Sequence, residues 1–104
     1  MVNQKTLDEL VSRIVHVAQP EKIILFGSTA RGDAHRHSDV DLLVIKAGAH
    51  RRSLAGRIYE NLFGIGVAVD VVVVTPTDVE RYKDSHALVI KPAMREGRVV
   101  YESA

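Results

Sequence analysis

Gly27-Ser28, followed after ten intervening residues by Asp39-Val40-Asp41, has the residue types and spacing to hold a phosphate and a metal ion. Ile23-Ile24-Leu25-Phe26 precedes the Gly-Ser pair, and Leu42-Leu43-Val44-Ile45 follows the second aspartate. A strand that breaks into a glycine turn and opens a helix gathers free backbone N–H groups, and these suit a phosphate. Two carboxylates at i and i+2 on a strand leave the same face, where they can share a divalent cation. The two halves together predict phosphoryl or nucleotidyl transfer.

Each residue also has a plainer reading. An Asp at a strand end serves as a turn or cap residue more often than as a ligand, and a Gly-Ser pair is usually a turn with Ser as helix N-cap. The second of these does not compete with function, because the hydroxyl and amides that start a helix can also contact phosphates. Arg31, one turn along, is placed to reach the phosphates and reads equally as a solvated helix residue. Gly32 and Asp33 shape the loop. His35 and His37, at i and i+2 with no cysteine and no third histidine nearby, make a poor zinc site and read as solvated loop, as do the isolated His16, His50 and His86. His50-Arg51-Arg52 reads as a helix entry in solvent.

The Gly-Ser and Asp-x-Asp segments resemble the minimal nucleotidyltransferase (MNT) domains of the DNA polymerase β-like nucleotidyltransferase superfamily. That signature includes a third acidic residue on a later strand, which the resemblance places at Asp70, in Val67-Ala68-Val69-Asp70-Val71-Val72-Val73-Val74. The closing stretch from Ala93 to Glu102 also looks typical, so the resemblance covers most of the chain. It implies ATP as substrate and two Mg²⁺ ions about 4 Å apart, shared by Asp39 and Asp41. Asp70 would complete the site for the metal that activates the attacking hydroxyl. An acid between Val69 and Val71 is expected to be buried without a partner, and Asp78 and Asp84 are the competing acids.

Stand-alone MNT domains of about this length are commonly the antitoxin half of HEPN/MNT toxin–antitoxin pairs, where they resemble enzymes that adenylylate a tyrosine of the HEPN ribonuclease. The resemblance therefore implies a HEPN ribonuclease toxin as partner. One alternative is a binding antitoxin with a vestigial site. Another is an aminoglycoside or lincosamide nucleotidyltransferase, which would need extra structure for its acceptor pocket. A nucleic-acid-extending polymerase would require further domains and a more basic surface.

The elements that must position these residues alternate along the chain. Thr6-Leu7-Asp8-Glu9 has the spacing of a capping box, and Leu7, Leu10, Val11, Ile14 and Val17 keep helical periodicity until Pro20. Strands are predicted over Lys22–Phe26 and Val40–Lys46, with a short helix from Ser28 to about Arg31 and a polar loop through Ser38. Leu54, Ile58 and Leu62 mark one face of a helix over Arg52–Phe63, weakened modestly by Gly56 and ended by Gly64 and Gly66.

Val67–Thr75 is the longest strand signal, and its nearly unbroken apolar run predicts burial on both faces. Thr77-Asp78-Val79-Glu80 after Pro76 reads as a second capping box. A last helical stretch from about His86 to Glu96 must kink or restart at Pro92, with Gly97 as C-cap. Val89, Ile90 and Met94 on it are candidates for partner docking as well as for core packing. Val99-Val100-Tyr101 reads as an edge strand. The expected fold is α/β (α+β): a small mixed sheet with helices mainly on one face and Asp39, Asp41 and Asp70 converging at one edge.

The 104 residues suit one domain, 1–104, with a single core. Apolar residues make up 46% and charged residues 26%, which argues against disorder. A net charge of +1 is too balanced for nucleic-acid binding through a basic surface. The absence of cysteine excludes disulfides and thiolate metal sites. No apolar run approaches the roughly 20 residues that span a bilayer, and the N-terminus lacks a signal pattern. These features predict a cytoplasmic domain.

Overall fold

The computed structural model describes residues 2–26, 40–82 and 90–103, the side chains of 90–92 excepted. Helix α1 (Gln4–Ala18) buries Leu7, Leu10 and Ile14 of the expected stripe together with Ala18, while Val11 and Val17 are half-buried. Its cap is Asn3 and not the expected Thr6. The Asn3 side-chain oxygen accepts the Thr6 N–H at 2.8 Å, so Thr6 and Glu9 both lie inside the helix. Extended backbone at Asn3 makes it the cap, and that conformation is set by how the chain enters the helix.

Strands β1 (Lys22–Phe26) and β2 (Val40–Ile45) come next, then helix α2 (Arg51–Asn61) and strand β3 (Val69–Val74). Helices α3 (Pro76–Tyr82) and α4 (Ile90–Glu96) and strand β4 (Arg98–Glu102) complete the described elements. The sheet order is β3-β2-β1-β4. β1 is antiparallel to both neighbours, while β2 and β3 are parallel. A parallel pair needs a crossover, and α2 supplies it. The result is the expected mixed sheet.

Strand residues alternate between two apolar layers. On one face α1 and α2 cover Ile23, Leu25, Val40, Leu42, Val44, Val71 and Val73. On the other, Ile24, Phe26, Leu43, Ile45 and Val74 pack with Ala93 of α4 and with Val79 and Tyr82 of α3. The two longer helices share one face and the two short ones take the other, so "mainly on one face" holds by length of helix. Within α2, Leu54 and Ile58 are buried together with Leu62 just beyond its end, and the Nδ1 atom of His50 accepts the Ser53 N–H as its N-cap. His50 is therefore a capping residue as well as a surface one. Gly64 and Gly66, at φ 82° and 88°, turn the chain back toward β3.

β3 departs from expectation. It is six residues long and lies at the sheet edge, with Asp70 exposed, Val69 and Val72 half-buried, and only Val71, Val73 and Val74 buried. The strand buried at every position is β2, flanked on both sides. An apolar run records apolar neighbours and does not record which strand is central.

The start of α3 is also displaced by two residues from the expected box at Thr77 and Glu80. Thr75 Oγ1 accepts the Asp78 N–H at 3.1 Å, and Asp78 Oδ2 accepts the Thr75 N–H at 3.0 Å. This reciprocal pair, with Pro76 at the first helical position, is the capping box. In α4 Pro92 falls in the first turn, where its missing N–H costs nothing. β4 is the expected edge strand beside β1. Among the described residues no helix is long and apolar enough to cross a membrane.

Candidate active site

Two registers assemble the acidic site. Phe26, the last residue of β1, is the Cα partner of Asp41, so the strand end from which Gly27-Ser28 departs lies beside this acid. Asp41 is in turn the Cα partner of Asp70 across the parallel pair. Neighbouring strands lie about 4.8 Å apart, and equal register puts both side chains on one face. That face is the one α3 and α4 partly cover, because Asp41 alternates with Leu42 and Val44 of the opposite layer.

The two acids differ in environment. Asp41 is 1% exposed within a strand whose other five residues are all apolar and buried. Burying a carboxylate is costly unless it is paired or hydrogen-bonded, which makes Asp41 a candidate site residue. Asp70 was expected to be buried and is instead exposed, because β3 is an edge strand. It also has a partner: the Tyr59 hydroxyl of α2 lies 3.3 Å from Asp70 Oδ1.

Tyr59 was not anticipated. Its hydroxyl accepts the Val71 N–H at 2.7 Å and lies 3.4 Å from the Val71 carbonyl oxygen. Burial pushes the phenol above its ordinary value, the Val71 N–H opposes this, and the Asp70 charge adds to the rise. In sequence Tyr59 is one residue past Ile58 of the apolar stripe, and no spacing marks it. Only the pairing of β2 with β3 brings the edge strand under α2.

Asp78, a competing acid, is accounted for by the cap of α3. The Thr75 N–H holds its carboxyl below the usual range, and Arg51 Nη1 at 3.5 Å assists. Asp39, Gly27, Ser28 and Arg31 lie outside the described residues, as do Gly32, Asp33, His35, His37, Asp84, His86 and Val89. Among the described residues no three His, Cys, Asp or Glu side chains cluster as a metal site; Asp41 and Asp70 are the described pair of the expected trio. On α4, Met94 is exposed and Ala93 is buried.

Residues 4–100 match the family described as "Nucleotidyltransferase domain". The chain belongs to this nucleotidyltransferase domain family. It is 37% identical over 82 residues to MJ1305 of Methanocaldococcus jannaschii, by name a protein adenylyltransferase. That match covers 73% of this chain and 49% of MJ1305, so the chain spans about half the length of its curated relative.

Solved structures share the fold of this nucleotidyltransferase domain. A Sulfolobus solfataricus protein described as a nucleotidyltransferase superposes with a TM-score of 0.61 at 22% identity, covering 94% of this chain and 78% of its own. A toxin–antitoxin structure with AMP-PNP gives 0.57 at 22% identity, covering 98% and 75%. A mutant MntA-HpeT toxin–antitoxin structure gives 0.53 at 20% identity, with the same coverages of 98% and 75%.

Proposed function

We propose that this domain, residues 1–104, is a Mg²⁺-dependent nucleotidyltransferase that moves AMP from ATP to a hydroxyl acceptor, a tyrosine of a HEPN ribonuclease toxin. The observation that carries the reading is the buried Asp41 in register with the exposed Asp70, beside the strand end that leads into Gly27-Ser28. The family match supports the reaction class. The name of MJ1305 supports a protein acceptor. The toxin–antitoxin neighbours, one with AMP-PNP, support a toxin partner and an ATP-like substrate.

Asp41 and Asp70 offer hard oxygen donors on one face of adjacent strands, a donor set that fits Mg²⁺. With Asp39 they would hold the metal, which when bound would neutralise charge on the phosphates and acidify the acceptor hydroxyl. Asp41, fixed in a buried strand, provides a rigid ligand. Asp70, at the exposed edge, faces the side from which a macromolecular acceptor can approach. Gly27, Ser28 and Arg31 would bind the triphosphate. In the reaction the acceptor oxygen bonds to the α-phosphorus, the bond from that phosphorus to pyrophosphate breaks, and the hydroxyl proton is released.

The test is intact-mass spectrometry of the toxin co-expressed with this chain. One added AMP, absent with Asp39→Asn/Asp41→Asn, is the expected result. Full neutralisation of the toxin by that double variant, with no modification, would make the chain a binding antitoxin and overturn the enzymatic reading.

A further inference from the structure

We infer that Tyr59 is a positioning residue of this site: its hydroxyl ties the Asp70 carboxylate to the free edge of β3. The inference rests on the assignment of Asp70 as a metal ligand made above.

Among the described residues β3 pairs with β2 on one side only, so every second residue turns its N–H and C=O away from the sheet. Val71 is such a residue, and both its groups meet the Tyr59 hydroxyl, at 2.7 Å for N–H and 3.4 Å for C=O. α2 packs on the face opposite Asp70, so Tyr59 reaches the acid by passing around the outer edge of β3. One hydroxyl carries one proton. Its lone pair takes the Val71 N–H, and the proton is left for Asp70 Oδ1 or the Val71 carbonyl. An ionised carboxylate is the stronger acceptor of the two.

This arrangement solves a problem created by exposure. A carboxylate on an edge strand has solvent on one side and several rotamers to sample, whereas a metal ligand needs one orientation. Hydrogen bonds to ligating carboxylates supply that orientation, and losing one costs about 10- to 100-fold in affinity or activity. Tyr59 engages Oδ1 and leaves the other carboxylate oxygen for a ligand. Tyr59 is itself 42% exposed, so its ring covers no deep core position and Tyr59→Phe retains the packing it does make.

The experiment compares the full chain with Tyr59→Phe and Asp41→Asn. Mn²⁺ affinity is read by calorimetry in the presence of a non-hydrolysable ATP analogue, and AMP transfer is read separately. Tyr59→Phe should weaken Mn²⁺ binding about tenfold and lower kcat by a similar factor, leaving KM for ATP within about twofold. A merely structural tyrosine would lower the melting temperature and leave Mn²⁺ affinity and kcat per folded molecule unchanged, which overturns the inference. AMP found on Tyr59 itself would overturn it too, by making the residue an acceptor. If the chain transfers nothing yet loses Mn²⁺ affinity on Tyr59→Phe, the nucleotidyl-transfer reading fails while the positioning role stands. If it binds no Mn²⁺ at all, the positioning role fails.

Discussion

Asp41 and Asp70 are Cα partners on parallel strands, yet one is 1% exposed and the other faces solvent. The difference follows from sheet order, since β2 is flanked by β1 and β3 while β3, among the described strands, has one neighbour. Asp41→Leu, beside Leu43 and Ile45 in the same layer, exchanges a buried carboxylate for an apolar side chain of similar size. It should melt within about 1 kcal/mol of the parent while transfer falls by about 10²-fold or more. Thermal melts and transfer rates on the same samples check this; a loss above about 1 kcal/mol would give Asp41 a structural role.

Metal binding should be visible as stability. A ligand that binds only the folded state adds about 2.7 kcal/mol at 100 times its Kd. Mg²⁺ with an ATP analogue should raise the melting temperature, EDTA should abolish the rise, and Asp70→Asn should shrink it. Equal melting temperatures in Mg²⁺ and EDTA would argue that the two carboxylates hold no cation.

Much of this arrangement is legible in the sequence because it is local. β1 coincides with Lys22–Phe26, β2 starts at Val40, and Leu54, Ile58 and Leu62 are the buried stripe at α2. What could not be read is set by partners distant in sequence. The run Val67–Val74 looks like a central strand, and only the order β3-β2-β1-β4 makes it an edge and exposes Asp70. Tyr59 acquires its role from the same pairing. The two capping boxes failed differently: Asn3 and Thr75 lie upstream of Thr6 and Thr77, and the backbone at the helix entry selects the cap among closely spaced candidates. Of the residues expected to hold metal and phosphate, Asp41 and Asp70 lie in register on adjacent strands, while Gly27, Ser28, Arg31 and Asp39 lie outside the described residues.

Gly97 joins α4 to β4 at a point where no side chain fits. A Cβ there would collide with the Ala93 carbonyl oxygen and Ile24 Cγ2 and press on the Leu25 carbonyl oxygen. Two of these are backbone atoms in a helix and a central strand, which cannot rotate away. Gly97→Ala should cost about 1–3 kcal/mol. In a domain of this size each 1 kcal/mol lowers the melting temperature by about 4–8 °C. An unchanged melt would show that α4 and β1 can separate freely.

Asp78 should give the fold a dependence on acid. Its carboxyl is held below the ordinary range, chiefly by the Thr75 N–H, then by the Thr75 side chain and the charges of Arg51 and Arg81. A group whose folded pKa is depressed stabilises the fold above its unfolded value, near 4, and loses that contribution as pH falls through the folded value. The window therefore lies on the acid side, below pH about 4, and neutral to alkaline pH leaves the contribution intact. Asp78→Ala removes the reciprocal cap and should cost about 1 kcal/mol at pH 7. The gap between parent and variant should narrow as the pH falls below about 4, because protonation of this carboxyl then favours the parent's unfolded state. Paired melts at pH 7, 5 and 3 measure it. A gap that persists undiminished at pH 3 would assign the effect to packing at the start of α3 and not to charge.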